Sequence, residues 1–324
     1  MHSVRVPHTT AVVAVSYGGP QSLRVVEVEL GEPGPGEVVL DVRAAAVNPI
    51  DWKSYSGAFG SDPARLPMRL GHEVAGVVSA VGPGPRWLSV GDEVIAWPVT
   101  GGYARRLVVP ELATVRKPAD LAWDAAAGLL LAGTTAVHAL TATHVGHRDV
   151  VLVHGGSGAV GRMLVQLAVL RGARVIATGS PSSHEALRAL GAFPVAYGPD
   201  ADALVGRVRA ASAQLGAPVS VAIDAVGSDE ALDASVALVA DRARIATIAG
   251  FARAPSLGIL MLGGAPGADP GTAVREAARA QLVELATDGT LEVHVARTYP
   301  LEEASRAHAD GRSAHPQGKL VLHP

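Results

Sequence analysis

The stretch VVLVHGGSGAVGRMLVQLAVLRG, residues 150–172, limits the possible folds of this chain more than any other. Its uniformly apolar start indicates a buried strand, and the amphipathic segment after the glycines indicates a helix capped by Gly172. Between the two lie Gly155, Gly158 and Gly161, whose GxxGxxG spacing permits a tight turn from strand to helix. This order of elements predicts one strand–turn–helix unit of an α/β fold.

The same turn is a candidate phosphate cradle. Glycines let the backbone approach a pyrophosphate group, which would rest on amide groups at the N-terminus of the helix. The alternative is a tight connection without a ligand, but further strand–helix units downstream favour a dinucleotide site. The turn consists of Gly155, Gly156, Ser157, Gly158, Ala159, Val160 and Gly161.

The pattern of predicted secondary structure differs between two parts of the chain. From about Trp123 to Leu291, runs such as ARVIAT, VSVAID and ARIATIAG alternate with helix-length segments, which predicts a doubly wound parallel sheet. Before and after this part, short strands with Gly/Pro turns indicate a compact β-barrel or sandwich that the C-terminal tail completes. We therefore predict an α/β protein with a β-rich domain, residues 1–122 and 292–324, and a doubly wound domain, residues 123–291.

The residues after the second strand of the doubly wound domain discriminate between nucleotides. An NAD site usually has an acid there for the ribose hydroxyls, whereas here RVIAT runs into GSPSSH with no acid before Glu185. An acid would repel a 2′-phosphate, whereas Ser180, Ser182, Ser183 and His184 can donate hydrogen bonds to it. The sequence predicts NADPH rather than NADH and disfavours S-adenosylmethionine. Alternatively, Ser182 only caps the next helix in an S-x-x-E box, and His184 is a solvated first-turn residue.

Composition excludes several classes of function. The net charge is −3, with 27 basic and 30 acidic residues and no basic block, so nucleic acid is not an expected partner. The chain has no cysteine, which excludes disulfides, thiol nucleophiles and thiolate metal sites. No apolar stretch reaches membrane-spanning length and no signal-peptide pattern is present, so we expect a cytoplasmic protein without a membrane partner.

Motifs along nearly the whole chain resemble the zinc-independent quinone oxidoreductase and enoyl reductase branch of the medium-chain dehydrogenase/reductase superfamily. They are AAAVNPIDWKSYSG, LGHEVAGVVSAVG, VGDEVIAW, GGYARRLVVP, LAGTTAVHAL, VHGGSGAVG, IDAVG and GKLVL, in family order. The resemblance implies a GroES-like β-barrel domain and a Rossmann domain. It also implies a homodimer formed through a Rossmann edge strand, for which LGILML, residues 257–262, is the candidate.

The resemblance also assigns further residues of the cofactor site. Ala159 and Val160 would approach the pyrophosphate and nicotinamide, and His184 would bind the 2′-phosphate. The other positions implied are Thr134, Tyr197, Ala225, Val226, Gly227, Ala249, Gly250, Phe251 and Lys319. The alternative for Tyr197 is that its side chain only packs on the end of a strand. The alternative for Lys319 is that it is only a solvated side chain at the end of a strand.

The resemblance argues against a metal. Zinc-dependent relatives take ligands from a cysteine in the loop that holds Asn48, from a pair like His72-Glu73, and from a further Cys or Asp. Here Asn48 replaces the first ligand, and His72 and Glu73 alone cannot supply the three protein ligands of a catalytic zinc. We interpret them as a structural pair that orients the cleft wall, and we expect no metal.

Without a metal there is no strong Lewis acid to polarise an alcohol or ketone. Hydride addition to a quinone, or to the β-carbon of an enone or enoyl thioester, remains accessible. It needs hydrogen-bond donors for the developing oxyanion and then a proton. The loop NPIDWKSYSG offers Asn48, Lys53 and Tyr55 as catalytic candidates, while Asp51 and Trp52 are expected to shape it.

Lys53 bears on the choice of substrate. Quinone reductases of this branch often carry tyrosine at that position and some enoyl-reducing relatives carry lysine, so the resemblance favours enone or enoyl substrates. A solvated Lys53 without a role is the alternative. For the whole chain, an NADPH-dependent reductase competes with a non-enzymatic NADPH-binding sensor or binding protein, and with a zinc alcohol dehydrogenase that the missing ligands disfavour.

Overall fold

A computed structural model of the chain describes residues 7–84, 87–198, 200–313 and 316–324. The chain forms two compact units, Met1–Leu131 with Val283–Pro324, and Ala132–Leu282. The first unit thus combines the N-terminal part of the chain with its C-terminal tail. The limits of these units lie nine residues from the predicted domain limits, at 131 against 122 and at 282 against 291.

The first unit begins with short strands separated by turns and two short helices. They are β1 (His8–Ala14), β2 (Leu23–Glu29), β3 (Glu37–Val47), α1 (Pro49–Tyr55), β4 (Met68–Arg69), β5 (Val74–Val81), β6 (Glu93–Ala96), β7 (Arg106–Pro110), β8 (Thr114–Arg116) and α2 (Trp123–Ala127). Strands β2, β1 and β4 form a three-stranded sheet. Helix α1 begins directly after β3, because Pro49 at its first position cannot continue the strand ladder but suits a helix start.

The second unit alternates strands and helices. The elements are α3 (Leu130–Ala142), β9 (Val150–His154), α4 (Ala159–Leu170), β10 (Arg174–Gly179), α5 (His184–Ala189), β11 (Ala192–Ala196), α6 (Ala201–Gln214), β12 (Val221–Asp224), α7 (Asp229–Leu238), β13 (Ile245–Thr247), α8 (Ala254–Leu257), β14 (Leu260–Met261) and α9 (Thr272–Thr287). Gly172 follows α4 with a φ of +78°, which confirms the predicted glycine cap.

The six strands of the second unit form one parallel sheet. Their order is β11-β10-β9-β12-β13-β14, which is the 3-2-1-4-5-6 order of a doubly wound dinucleotide-binding fold. Every residue of β9 is buried, as expected for a central strand covered on both faces. The predicted α/β fold is confirmed. The predicted edge strand at 257–262 is shorter than expected, because α8 occupies Leu257 and β14 contains two residues.

The C-terminal tail returns to the first unit as β15 (Val295–Pro300), α10 (Ala304–Ser313) and β16 (Lys319–His323). Strand β16 pairs antiparallel with β3, so the tail completes a seven-stranded sheet of order β15-β16-β3-β5-β6-β8 with β7 beside β3. One apolar core of the first unit therefore includes residues from both ends of the chain, such as Leu40 and Leu322. None of the helices in the described ranges has the length and apolar character needed to cross a bilayer.

Candidate functional site

The glycine turn lies between β9 and α4, and at Gly155 and Gly161 it is packed too closely for a side chain. Gly155 has a φ of +73°, and a Cβ on Gly161 would overlap the carbonyl oxygen of Gly155. The N–H of Gly155 donates to Thr178 Oγ1 at 3.1 Å and the N–H of Gly156 to the Thr178 carbonyl at 2.8 Å. The turn is therefore fixed to β10, and its backbone leads directly into the N-terminus of α4.

Two further predicted segments lie beside this turn, one touching it and the other touching the first. Residues 225–227 follow β12, and a Cβ on Gly155 would lie 2.6 Å from Val226 Cγ2. Residues 249–251 follow β13, and a Cβ on Gly227 would lie 2.9 Å from the carbonyl carbon of Ala249. The carboxyl ends of β9, β12 and β13 thus bring three predicted cofactor segments into direct contact, at the edge of the sheet where such folds bind ligands.

The serines after β10 form a tight turn. Ser180 Oγ lies 2.9 Å from Ser182 Oγ, and the buried Ser183 Oγ donates to the Ser180 carbonyl at 2.7 Å. Helix α5 begins at His184 with Ser183 at its N-cap, so Ser182 lies one residue before the cap position. Tyr197 follows β11 and its side chain is 61% exposed, which differs from packing on a strand end.

Two orphaned polar atoms fit a missing ligand in the second unit. Oγ1 of Thr134, a fully buried residue of α3, has no hydrogen-bond partner among the described residues. The same holds, within those residues, for Nε2 of His184. Buried polar groups normally have partners, so both atoms are consistent with groups that a bound molecule supplies. Together with the glycine turn and the first N–H groups of α4, these residues fit a dinucleotide with a pyrophosphate and an extra phosphate.

In the first unit, the tail is bonded to the residue before α1. Lys319 Nζ, on a side chain that is 2% exposed, donates to Asn48 Oδ1 at 2.7 Å and contacts Glu73 Oε2 at 3.3 Å. Glu73 is fully buried and its Oε1 accepts from the Leu131 N–H at 2.8 Å. Burial raises the pKa of Glu73, although the charge of Lys319 opposes this. Lys319 is therefore part of a buried ion pair rather than a solvated strand end.

Asp51 organises a second buried cluster. Its Oδ2 accepts from the Asn48 N–H at 2.7 Å and from the Tyr103 hydroxyl at 2.8 Å, and its Oδ1 lies 2.5 Å from His72 Nδ1. Burial alone would raise the pKa of Asp51, but the hydrogen bond and charge of His72 outweigh it and lower that pKa. Burial alone would lower the pKa of His72, and Asp51 raises it. His72 is therefore paired with Asp51, not with Glu73.

The cluster continues to His308, in the middle of α10. Because the Tyr103 hydroxyl donates to Asp51, it accepts from His308 Nε2 at 3.1 Å, which leaves Nδ1 of that ring to accept from Tyr55 at 2.9 Å. Burial lowers the pKa of His308 to about 4, so the ring is neutral at pH 7. Tyr103 and His308 were missed by sequence reasoning. A tyrosine within the quoted GGYARRLVVP motif was the available signal for the first, and no pattern marked the second.

The three catalytic candidates have different surroundings. The Asn48 side chain is 2% exposed and its oxygen is occupied by Lys319. The Tyr55 side chain is fully buried, and burial raises the pKa of its hydroxyl to about 12. Lys53 is partly exposed, and burial lowers the pKa of its amine. Of the three, Lys53 has the side chain that solvent and small molecules can reach.

His72 and Glu73, the pair at the position of zinc ligands in zinc-dependent relatives, are each bonded to other residues of the first unit. His72 uses Nδ1 for Asp51, and both oxygens of Glu73 accept hydrogen bonds. Within the described ranges, no group of three or more His, Asp or Glu side chains is arranged to hold a metal ion.

Comparison with known proteins identifies the chain's relatives. Family models match it as an alcohol dehydrogenase GroES-like domain over residues 34–119 and a zinc-binding dehydrogenase over residues 190–322. Quinone oxidoreductase 1 of Escherichia coli (strain K12) is 30% identical over 95% of this chain and 97% of its own length. The 2-haloacrylate reductase of a Burkholderia species is 32% identical over 97% of this chain and 98% of its own. A mycobacterial protein solved in complex with NADPH has a TM-score of 0.84 and 32% identity, covering 98% of this chain and 100% of that protein.

The β-rich unit with its tail strand, the doubly wound sheet and the glycine turn define a medium-chain dehydrogenase/reductase. Within that superfamily the chain belongs to the quinone oxidoreductase branch. The predictions of an oxidoreductase and of a GroES-like domain joined to a Rossmann domain are confirmed. The mycobacterial relative's complex agrees with the prediction of NADPH as cofactor.

Proposed function

We propose that this protein is an NADPH-dependent, zinc-independent reductase that transfers hydride to a quinone or to an α,β-unsaturated carbonyl compound. The observation that carries the proposal is the glycine-rich turn at 155–161, where Gly155 and Gly161 leave no room for a side chain. The 225–227 loop touches this turn and the 249–251 loop touches the 225–227 loop, at the carboxyl edge of the parallel sheet. Relatives named for quinone and 2-haloacrylate reduction support both acceptor classes, because each is an electron-poor conjugated acceptor.

The residues that would hold NADPH are those predicted from the sequence. The turn and the N-terminus of α4 would bind the pyrophosphate, Thr134 would adjoin the nicotinamide, and the 180–184 turn would bind the 2′-phosphate. When bound, NADPH supplies the hydride. Lys319 is buried against Asn48 and Glu73, so its role in this proposal is to orient Asn48.

Lys53 is the proposed donor to the oxyanion that develops on the acceptor. Its partial burial lowers the pKa of its amine, which favours transfer of a proton at neutral pH. The Asn48 oxygen accepts from Lys319 and its Nδ2 donates to the Ala46 carbonyl at 3.4 Å, which leaves one amide hydrogen for the acceptor. Tyr55 is committed to His308 and would support the loop rather than donate a proton.

Zinc independence follows in this proposal from the donor set. Within the described residues, no three His, Asp or Glu side chains are arranged as zinc ligands, and the ammonium of Lys319, 3.3 Å from Glu73 Oε2, would repel a cation there. Elemental analysis of active enzyme should find less than one zinc per chain. Full occupancy, with activity lost on chelation, would replace this proposal with the zinc alcohol dehydrogenase.

The first experiment measures NADPH oxidation against quinones, simple enones and enoyl thioesters, with NADH in parallel. We expect turnover with NADPH on at least one class and a much lower kcat/KM with NADH. Comparable rates with both cofactors would contradict the assignment of the 180–184 turn to the 2′-phosphate. Tight NADPH binding without turnover on any acceptor would support the sensor or binding-protein alternative.

Replacing Lys53 tests the catalytic assignment. We expect Lys53→Met to lower kcat by about 10²–10³-fold, because the developing oxyanion loses a charged donor, while the Kd for NADPH is unchanged. Lys53→Arg keeps the charge and serves as the control, with a smaller loss. A kcat for Lys53→Met within about threefold of wild type would mean that this lysine is only solvated.

We further propose that two copies pair through the edge strand β14. This strand lies at the edge of the six-stranded sheet, where strands of two copies can pair. The Met261 carbonyl accepts from the Asp269 N–H at 2.8 Å, so a partner strand would have to take the place of that contact. Sedimentation velocity should give the mass of two chains, and Leu260→Lys should shift it toward one. A monomeric wild type would refute the proposal.

The expected cytoplasmic location stays a prediction.

A further inference from the structure

Two buried residues that were not among the predicted cofactor ligands lie under the loops of the second unit. Asp224 is the last residue of β12 and Thr247 the last residue of β13, and the two are opposite each other in the parallel ladder. Both side chains are fully buried. Neither can touch a ligand at the surface, so any effect on binding must pass through the loops above them.

Asp224 holds the loop at 225–227. Its Oδ1 accepts from the N–H groups of Val226 and Gly227, each at 2.9 Å, which fixes a turn directly after the strand. Gly227 has a φ of +83°, a conformation that glycine adopts without strain. The other carboxylate oxygen of Asp224, Oδ2, accepts from the Thr247 hydroxyl at 2.6 Å. The three donors leave this buried carboxylate well satisfied.

Thr247 transmits the same arrangement to the loop at 249–251. A hydroxyl has one hydrogen, which here goes to Asp224, so its lone pairs are free to accept. They accept from the N–H of Ala249 at 3.1 Å and the N–H of Gly250 at 2.7 Å. One carboxylate therefore directs four backbone N–H groups in two loops, two of them directly and two through a threonine hydroxyl.

We propose that Asp224 and Thr247 are positioning residues that hold both loops in the NADPH-binding conformation before the cofactor arrives. The loops touch each other at Gly227 and Ala249, and the first touches the glycine turn through Val226. By fixing the two loops at their strand ends, Asp224 and Thr247 therefore also fix the spacing of these loops from each other and from the glycine turn. The inference rests on the proposed function, since it presupposes that these loops line NADPH. Preformed loops bind more tightly because binding does not have to order them.

The test compares NADPH affinity in matched threonine variants. Thr247→Val keeps the shape but removes the hydroxyl, which leaves two backbone N–H groups and one carboxylate oxygen unpaired. We expect its Kd for NADPH, measured by fluorescence titration, to rise about 10-fold or more, with kcat at saturating NADPH within about threefold of wild type. Thr247→Ser restores the hydroxyl and should restore most of the affinity.

Thr143→Val is the control for a purely structural effect. Thr143 is equally buried, and its hydroxyl donates to the Ala139 carbonyl, away from the loops. We expect it to lower Tm without changing the Kd. An unchanged Kd in Thr247→Val would overturn the inference, while a wild type that does not bind NADPH would overturn the proposed function instead.

Hydrogen exchange of the unliganded wild type gives a second test that does not depend on a variant folding. Amides in the 226–227 and 249–250 segments should exchange slowly before NADPH is added, because each already has a side-chain acceptor. Unprotected amides that become protected only on binding would show that the loops form with the ligand, and would refute the positioning role.

Discussion

Gly161→Ala should strongly destabilise the nucleotide-binding unit. The new Cβ would overlap the carbonyl oxygen of Gly155 and lie 2.8 Å from the Cα of Gly156, and both neighbours are backbone that cannot rotate away. The turn cannot shift to make room, because its amides are bonded to Thr178 on the adjacent strand. We expect a loss of about 3 kcal/mol in the free energy of unfolding and no measurable NADPH binding.

Gly158→Ala is the matched control, because Gly158 and Gly161 are both motif glycines of the GxxGxxG turn. Gly158 has a φ of −73° and ψ of 169°, which alanine adopts freely, and the nearest atom to its Cβ is 3.5 Å away. The free energy of unfolding should stay within about 1 kcal/mol of wild type. Thermal denaturation of the two variants checks this. Equal Tm values would mean that the turn has a different conformation.

Much of the fold was predictable because it depends on short-range patterns. The apolar strands, the glycine turn and the cap at Gly172 are each set by a few neighbouring residues, and the doubly wound class follows from the alternation of strands with helices. The length of the edge strand, predicted as residues 257–262, was overestimated for a related reason. Apolar character alone does not distinguish Leu257, at the end of a helix, from the strand that follows.

The polar clusters of the first unit were not predictable in the same way. Tyr103 and His308 are 205 residues apart in sequence, and Asn48 and Lys319 are 271 apart. These contacts exist because β16 pairs with β3 and places Leu320 opposite Val47, a register that no local pattern encodes. Sequence reasoning therefore identified Asn48 and Lys319 as functional candidates without finding that they bind each other.

Lys319→Met should strongly destabilise the first unit. It would leave the fully buried carboxylate of Glu73 without its counter-charge, and such breakage costs about 3–5 kcal/mol. Burial already raises the pKa of Glu73, and loss of the ammonium raises it further. A carboxyl whose pKa is higher in the folded state destabilises the fold most above that pKa. The deficit should therefore shrink as the pH falls and Glu73 takes up a proton.

Lys117→Met separates this effect from the loss of any buried lysine. Lys117 is also 2% exposed and paired with a carboxylate, but its partner Glu93 is 41% exposed and stays hydrated when the lysine is removed. Urea unfolding at pH 7 should therefore show a much smaller loss for Lys117→Met. Adding Glu73→Gln to Lys319→Met removes both charges and should recover much of the stability. If the double variant is no more stable than Lys319→Met, the loss comes from the hydrogen bond to Asn48, because that contact is absent in both.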